Sequence, residues 1–160
     1  AEALEFPNNS FDIVFDGGTF SSIELKKGLR EIQRVLKPGG LLIGIETLGH
    51  HPLANLKRWW NKKRGVRTTW AASHIMKMSD IELIKKYFSP PAGGDQLKFF
   101  HFISLLTIPL LSPPSLVSLI RPAGVLLDNI ANSADYLLFR IFPSLKKYAF
   151  KAVFVFKSWK

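Results

Sequence analysis

The sequence predicts an α/β domain, a parallel sheet with helices on its faces. Three observations carry that prediction. Two apolar runs, Phe11-Asp12-Ile13-Val14-Phe15 and Leu41-Leu42-Ile43-Gly44-Ile45-Glu46, flank a segment of helical periodicity. That segment closes on Lys37-Pro38-Gly39-Gly40, where proline and glycine stop a helix. Strand, helix and strand in this order make a βαβ unit, whose strands lie parallel. Last, Tyr148–Phe156 alternates and is rich in Val and Phe, the pattern of a closing strand.

Composition bounds the answer. The chain has 160 residues, enough for one core, with 47% hydrophobic and 21% charged residues, a globular balance. Without cysteine there are no disulfides, thiolate metal sites or cysteine nucleophiles, which suits a cytoplasmic setting. The chain opens on Ala1 in the middle of a motif and reads as a fragment or the C-terminal part of a longer protein. The formal charge of +10 is concentrated. Lys57, Arg58, Lys62, Lys63, Arg64 and Arg67 fall in an acid-free run, and no acid follows Asp135. Such runs attract anions or simply form a solvated face.

Residues 1–10 read as a loop, with Phe6-Pro7 and Asn8-Asn9-Ser10 as turn chemistry. Phe11–Phe15 has the continuous apolar character of a strand buried on both faces. It ends at Asp16-Gly17-Gly18-Thr19, where a ligand can approach glycine backbone closely, or where the glycines supply a tight turn. Ser21 and Glu24 fit a capping box. From there Leu25, Leu29, Ile32, Val35 and Leu36 make the helical stripe, leaving Arg34 and Lys37 at the surface. Leu41–Glu46 is the next strand.

Glu46, His50 and His51 follow that strand's end, above the sheet, and are candidate catalytic residues with His74. A lone histidine near a pocket is more often a hydrogen-bonded spectator than a base. Leu53 to Lys63 is helical and basic, with Trp59 and Trp60, and Trp70 follows. Ser79 and Glu82 fit a second capping box, Met78 and Leu83 its hydrophobic staple, for a helix running to about Phe88. Residues 97–111 contain a strand, and Leu116–Ile120 and Val125–Phe142 look helical. Prolines interrupt every apolar stretch before the roughly 20 residues that a spanning helix needs, so a peripheral membrane contact is the most that is expected.

Ala1–Asp12 together with Glu31-Ile32-Gln33-Arg34-Val35-Leu36-Lys37-Pro38-Gly39-Gly40 resembles the type-11, ubiquinone-biosynthesis-like family of class I S-adenosylmethionine-dependent methyltransferases. The resemblance is strong over 1–49 and thins beyond. It implies a Rossmann-like sheet with helices on both faces, an antiparallel C-terminal strand, and N-terminal strands missing from this chain. It divides the chain into a cofactor-side core (1–49), a basic aromatic insertion (50–78) and C-terminal helices and closing strands (79–160). It implies S-adenosylmethionine as cofactor, with Ala1 and Glu2 near the adenine and Gly17 beside the methionine portion. The glycine-rich loop under the cofactor and the acid that holds its ribose are absent, so the isolated chain is expected to bind weakly or be inactive. The expected acceptor is small and lipid-like. The expected cover for the sheet edges is the missing N-terminal half or a homodimer. The alternatives are a peripheral membrane module or a nucleic-acid binder; the apolar C-terminal third disfavours nucleic acid.

Overall fold

The computed structural model describes residues 2–65, 75–89, 96–106 and 121–159. β1 (Phe11–Asp16), α1 (Leu25–Val35) and β2 (Leu36–Thr47) form the βαβ unit, with β1 and β2 parallel from Ile13 opposite Leu41 to Asp16 opposite Gly44. The register jumps between Ile13 and Phe11, which stands opposite Leu36. Lys37–Gly40 is therefore a bulge inside β2, with Gly39 at φ 74°, and not the cap of the helix. The helix ends at Val35, and Lys37 Nζ reaches Asp12 across the bulge at 2.8 Å.

β5 (Lys151–Ser158) is the centre of the sheet. It runs antiparallel to β2, and on its other side it pairs antiparallel with β3 (Phe88–Ser89) and β4 (Gln96–Phe100). The expected antiparallel closing strand is thus present, three residues later than its alternation suggested. A hairpin does not deliver it: α4 (Arg121–Ile141) lies between β4 and β5. α2 (Pro52–Lys63) and α3 (Met78–Tyr87) complete the described helices, and α4 begins four residues before the expected Val125. Trp70, His74 and Leu116–Ile120 lie outside the described residues.

The core occupies one face of the sheet. Leu42, Phe154 and Phe156 meet Leu29 and Ile32 of α1 and Ile81 and Ile84 of α3, all buried. Phe154 lies so flat on Gly44 that a Cβ there would sit 2.2 Å from its ring. On the other face Ile13 and Phe15 are 53% and 63% exposed. β1 was expected to be buried on both faces; it is an edge strand with one face open among the described residues.

Neither serine caps its helix. Residues Phe20–Ser22 form a 3-10 turn, α1 starts after Glu24, and the Ser21 hydroxyl donates to Gly18 O. Glu24 instead pairs with Lys27 at the surface. In α3 the box has slipped by two residues. Lys77 is the N-cap, its N–H donates to Asp80 Oδ2 at 2.7 Å, and Met76 and Ile81 stand at the staple positions, both buried.

Candidate functional site

In open α/β sheets ligands bind beyond the carboxyl ends of parallel strands. Here those ends are Asp16 on β1 and Glu46 on β2, 4% and 2% exposed. Asp16 accepts from Gly18 N at 3.3 Å, from Thr19 N at 3.1 Å and from the Thr19 hydroxyl. This turn holds Gly18 at φ 97°, a conformation that only glycine adopts cheaply. Gly17 is exposed, and a Cβ there would meet only the Phe15 ring at 3.4 Å. The turn thus requires Gly18, while the backbone at Gly17 stays open to a ligand.

Glu46 Oε1 accepts from Phe20 N at 2.8 Å, but Oε2 is buried with no partner. The explanation is the neighbouring carboxylate. Asp16 stands opposite Gly44, and Glu46 is two residues farther along the same face. Burial, and then the Asp16 charge, push the Glu46 carboxyl up to about 8. A carboxyl raised this far holds its proton at neutral pH, and a protonated Oε2 would give the orphan atom a hydrogen to offer on the Asp16 side. Two neighbouring buried carboxylates cannot both ionise cheaply, and a proton on Glu46 lowers that cost. Sequence reasoning selected Glu46 and missed Asp16. The signal was available: an acid ending an apolar strand, followed by Gly-Gly-Thr, is Asx-turn chemistry.

The histidines separate. His51 is 1% exposed, and both ring nitrogens serve the fold. Nδ1 accepts from Ala54 N at 3.3 Å, capping α2, and Nε2 donates to Phe102 O at 2.9 Å. His50 is exposed beyond the end of β2. His74 lies outside the described residues. A His101, Ser104 and Asp135 cluster invites a nucleophile reading, and its geometry refuses it. The Ser104 hydroxyl, fully buried, gives its proton to Asp135 Oδ2 at 2.8 Å. Asp135 also accepts from Phe102 N, Ile103 N and Ser104 N. It is the anchor of the 3-10 turn Ser104–Leu106.

The N-terminal loop is fastened from α1. Arg34 donates to Leu4 O, Phe6 O and Asn8 Oδ1 at 2.8–2.9 Å and forks onto both Glu31 oxygens at 2.9 and 3.0 Å. Glu31 also accepts from Leu4 N. Those two donors hold the Glu31 carboxyl down at about 2. Arg34 was expected to be a plain surface residue; it positions the loop that leads into β1. Glu2, exposed, uses Oε1 to accept from Glu24 N at 2.7 Å, just ahead of α1. Ala1 lies outside the described residues. A hollow of about 290 Å³ adjoins this rim, lined by Phe20, Ser21, Ile75, Met76, Lys77 and Asp80. A larger one, about 560 Å³, lies between β4 and α4, across β5 from the Asp16–Glu46 rim. Strand-end geometry, not size, selects the first.

An open α/β sheet with a shaped rim at its parallel strand ends defines the class, an α/β domain of the doubly wound kind. The sequence is similar to one family in particular. Residues 1–44 match the family model described as methyltransferase domain. The chain is 51% identical to the ubiquinone/menaquinone biosynthesis C-methyltransferase UbiE of Citrobacter koseri over 47 residues, 29% of this chain and 19% of that protein. It is 44% identical to the uncharacterized methyltransferase YodH of Bacillus subtilis over 52 residues, 32% of this chain and 22% of that one. The matches thus span about a fifth of these relatives' length. Haemonchus contortus phosphoethanolamine N-methyltransferase 2 superposes with a TM-score of 0.52 at 18% identity, covering 98% of this chain and 35% of that one. A methyltransferase of Thermotoga maritima, described as a possible histamine N-methyltransferase, gives 0.52 at 14% identity, covering 99% and 60%. At these identities the superpositions establish the fold.

The rim fits S-adenosylmethionine on one flank. The backbone at Gly17 is open to a ligand, and a carboxylate at the rim would suit a cationic sulfonium. The chain contains no G-x-G-x-G segment to lie under the rest of the cofactor.

Proposed function

We propose that the protein to which this chain belongs transfers a methyl group from S-adenosylmethionine to a small, lipophilic acceptor. The observation that carries this reading is the match of residues 1–44 to the methyltransferase domain, because it runs through Gly17 and the end of β1 that holds Asp16, and stops two residues short of Glu46. The cofactor supplies an electrophilic methyl on a sulfonium. The chain's own residues do the positioning. Asp16 holds the Gly17–Thr19 backbone in place, and neutral Glu46 holds Phe20 N and leaves Asp16 a single negative charge beside the sulfonium. Orientation of this kind can supply roughly 7–11 kcal/mol in the best intramolecular cases, so no compact catalytic motif is needed. His50, exposed at the rim, is the candidate to accept a proton from the acceptor. His51 and Glu46 support the rim, and His74 remains a candidate by sequence. Exposed apolar side chains support a lipophilic acceptor. In this reading a preceding half-domain, or a second copy, lies against the open face of β1.

Calorimetric titration of S-adenosylmethionine tests the proposal, on this chain and on a longer protein that carries it upstream. The expected result is tight binding by the longer protein and weak or absent binding by the chain alone. No binding in either overturns the reading. Methylation by the longer protein lost in His50→Ala, with cofactor affinity kept, supports the proton-accepting role.

A further inference from the structure

α2 is a helix turned inside out. It buries only Ala54, and at 3.6 residues per turn the side opposite Ala54 carries Leu53, Leu56, Trp59, Trp60 and Lys63. Leu53, Leu56, Trp59 and Trp60 are 45, 61, 49 and 51% exposed. An ordinary surface helix would place polar residues there. Lys57 and Arg64 border this arc, and the helix and its C-cap contain no acid. Lys63 Nζ stands 4.1 Å from the centre of the Trp59 ring, and the Arg64 guanidinium 5.3 Å from that of Trp60.

We infer that α2 is a docking helix for an anionic lipid surface, lying in the interface plane with its apolar arc in the headgroup–acyl boundary. This inference is independent of the methyl-transfer reading. Charge complementarity selects the occupant: the cations match anionic headgroups, and tryptophan and leucine match the apolar layer immediately beneath them. A nucleic-acid phosphate backbone would satisfy the cations and leave Leu53 and Leu56 in water. The helix lies on the membrane without crossing it, and among the described residues no helix is long and apolar enough to cross. The platform beneath it is firm. His51 caps α2 and bonds Phe102 O, and Asp135 of α4 holds Phe102 N. Docking would set the adjoining His50 rim facing the lipid layer.

The test is co-sedimentation of the full-length protein with phosphatidylcholine vesicles, with and without a third phosphatidylglycerol, over a salt series. Quenching of tryptophan by acyl-chain-brominated lipid accompanies it. The wild type is expected to partition roughly tenfold or more better onto the anionic vesicles and to release with salt. Trp59→Ser/Trp60→Ser is expected to lose most binding and most quenching, with Trp70 and Trp159 left to give the background signal. Lys62→Glu/Lys63→Glu is expected to lose the anionic preference. All four positions are on a largely exposed helix, and an unchanged circular dichroism spectrum confirms that the variants fold. Equal binding to both vesicles, no binding, or variants that bind like the wild type would overturn the inference. So would a single-stranded oligonucleotide that displaces the protein from vesicles without needing Trp59 and Trp60.

Discussion

The raised carboxyl of Glu46 makes stability depend on pH in an unusual direction. Glu46 has its carboxyl raised from 4.5 to about 8 in the native state, burial being the larger cause and Asp16 the second. Between those values the native state binds a proton that the unfolded chain does not. The contribution of this group is therefore fully present below about pH 4.5, falls as pH rises, and is lost through about pH 8. Each tenfold difference in proton affinity between the two states is worth about 1.4 kcal/mol, so the loss from about pH 6 to about pH 9 is roughly 2–3 kcal/mol from this group. Ordinary carboxylate pairing gives the opposite slope at acid pH. Glu46→Gln separates the two. Its amide is the neutral isostere: Oε1 still accepts from Phe20 N, and Nε2 donates to Asp16. Urea unfolding followed by circular dichroism across this range should show a falling midpoint in the wild type and a flat one in the variant. A glutamine variant that keeps the wild-type slope would refute the raised Glu46 carboxyl.

Other substitutions read other parts of the structure. Gly44→Ala drives a methyl into the Phe154 ring and should cost about 2–3 kcal/mol in chemical denaturation, partly restored when Phe154→Leu is added. Asp135→Asn withdraws a charged acceptor from three backbone N–H groups and a hydroxyl, and should lower stability by about 2–3 kcal/mol. Arg34→Lys keeps the charge but loses the fork and the three loop acceptors; limited proteolysis should then cut within residues 4–8, where the wild type resists. The same clamp should open in acid. The lowered Glu31 carboxyl contributes above pH 4.5 and is lost as pH falls through about 2.

The βαβ unit was legible because its signals are periodic: an apolar strand, an amphipathic stripe and a glycine punctuation. What the sequence left hidden depends on contacts far apart in the chain. Ser21 and Ser79 are good capping residues by type, but burial of Phe20 places Ser21 in a 3-10 turn ahead of α1, and burial of Met76 and Ile81 starts α3 after Lys77; packing decides both. Pro38-Gly39-Gly40 stops a helix by propensity; the pairing of β1 with β2 turns it into a bulge. At the rim, Glu46, His50 and Gly17 were visible from their place after strands. The partnership of Glu46 with Asp16 required the register of two strands, and the structural duty of His51 required Phe102, fifty-one residues away. Arg34 looked like solvent decoration because its loop acceptors are 26–30 residues away in the chain, and two of them are backbone carbonyls, which carry no sequence signal.

The Arg34 fork joins the lead-in loop to the helix that comes after the strand. The loop cannot leave without freeing a guanidinium, and α1 cannot unwind at its end without freeing the loop. Hydrogen exchange should therefore find the amides of residues 9–10, which bond to Arg34 O and Val35 O, opening together with the last turn of α1. The two ends of this segment behave as one cooperative unit, and whatever the rim holds at Gly17 rests on a strand whose entrance is latched.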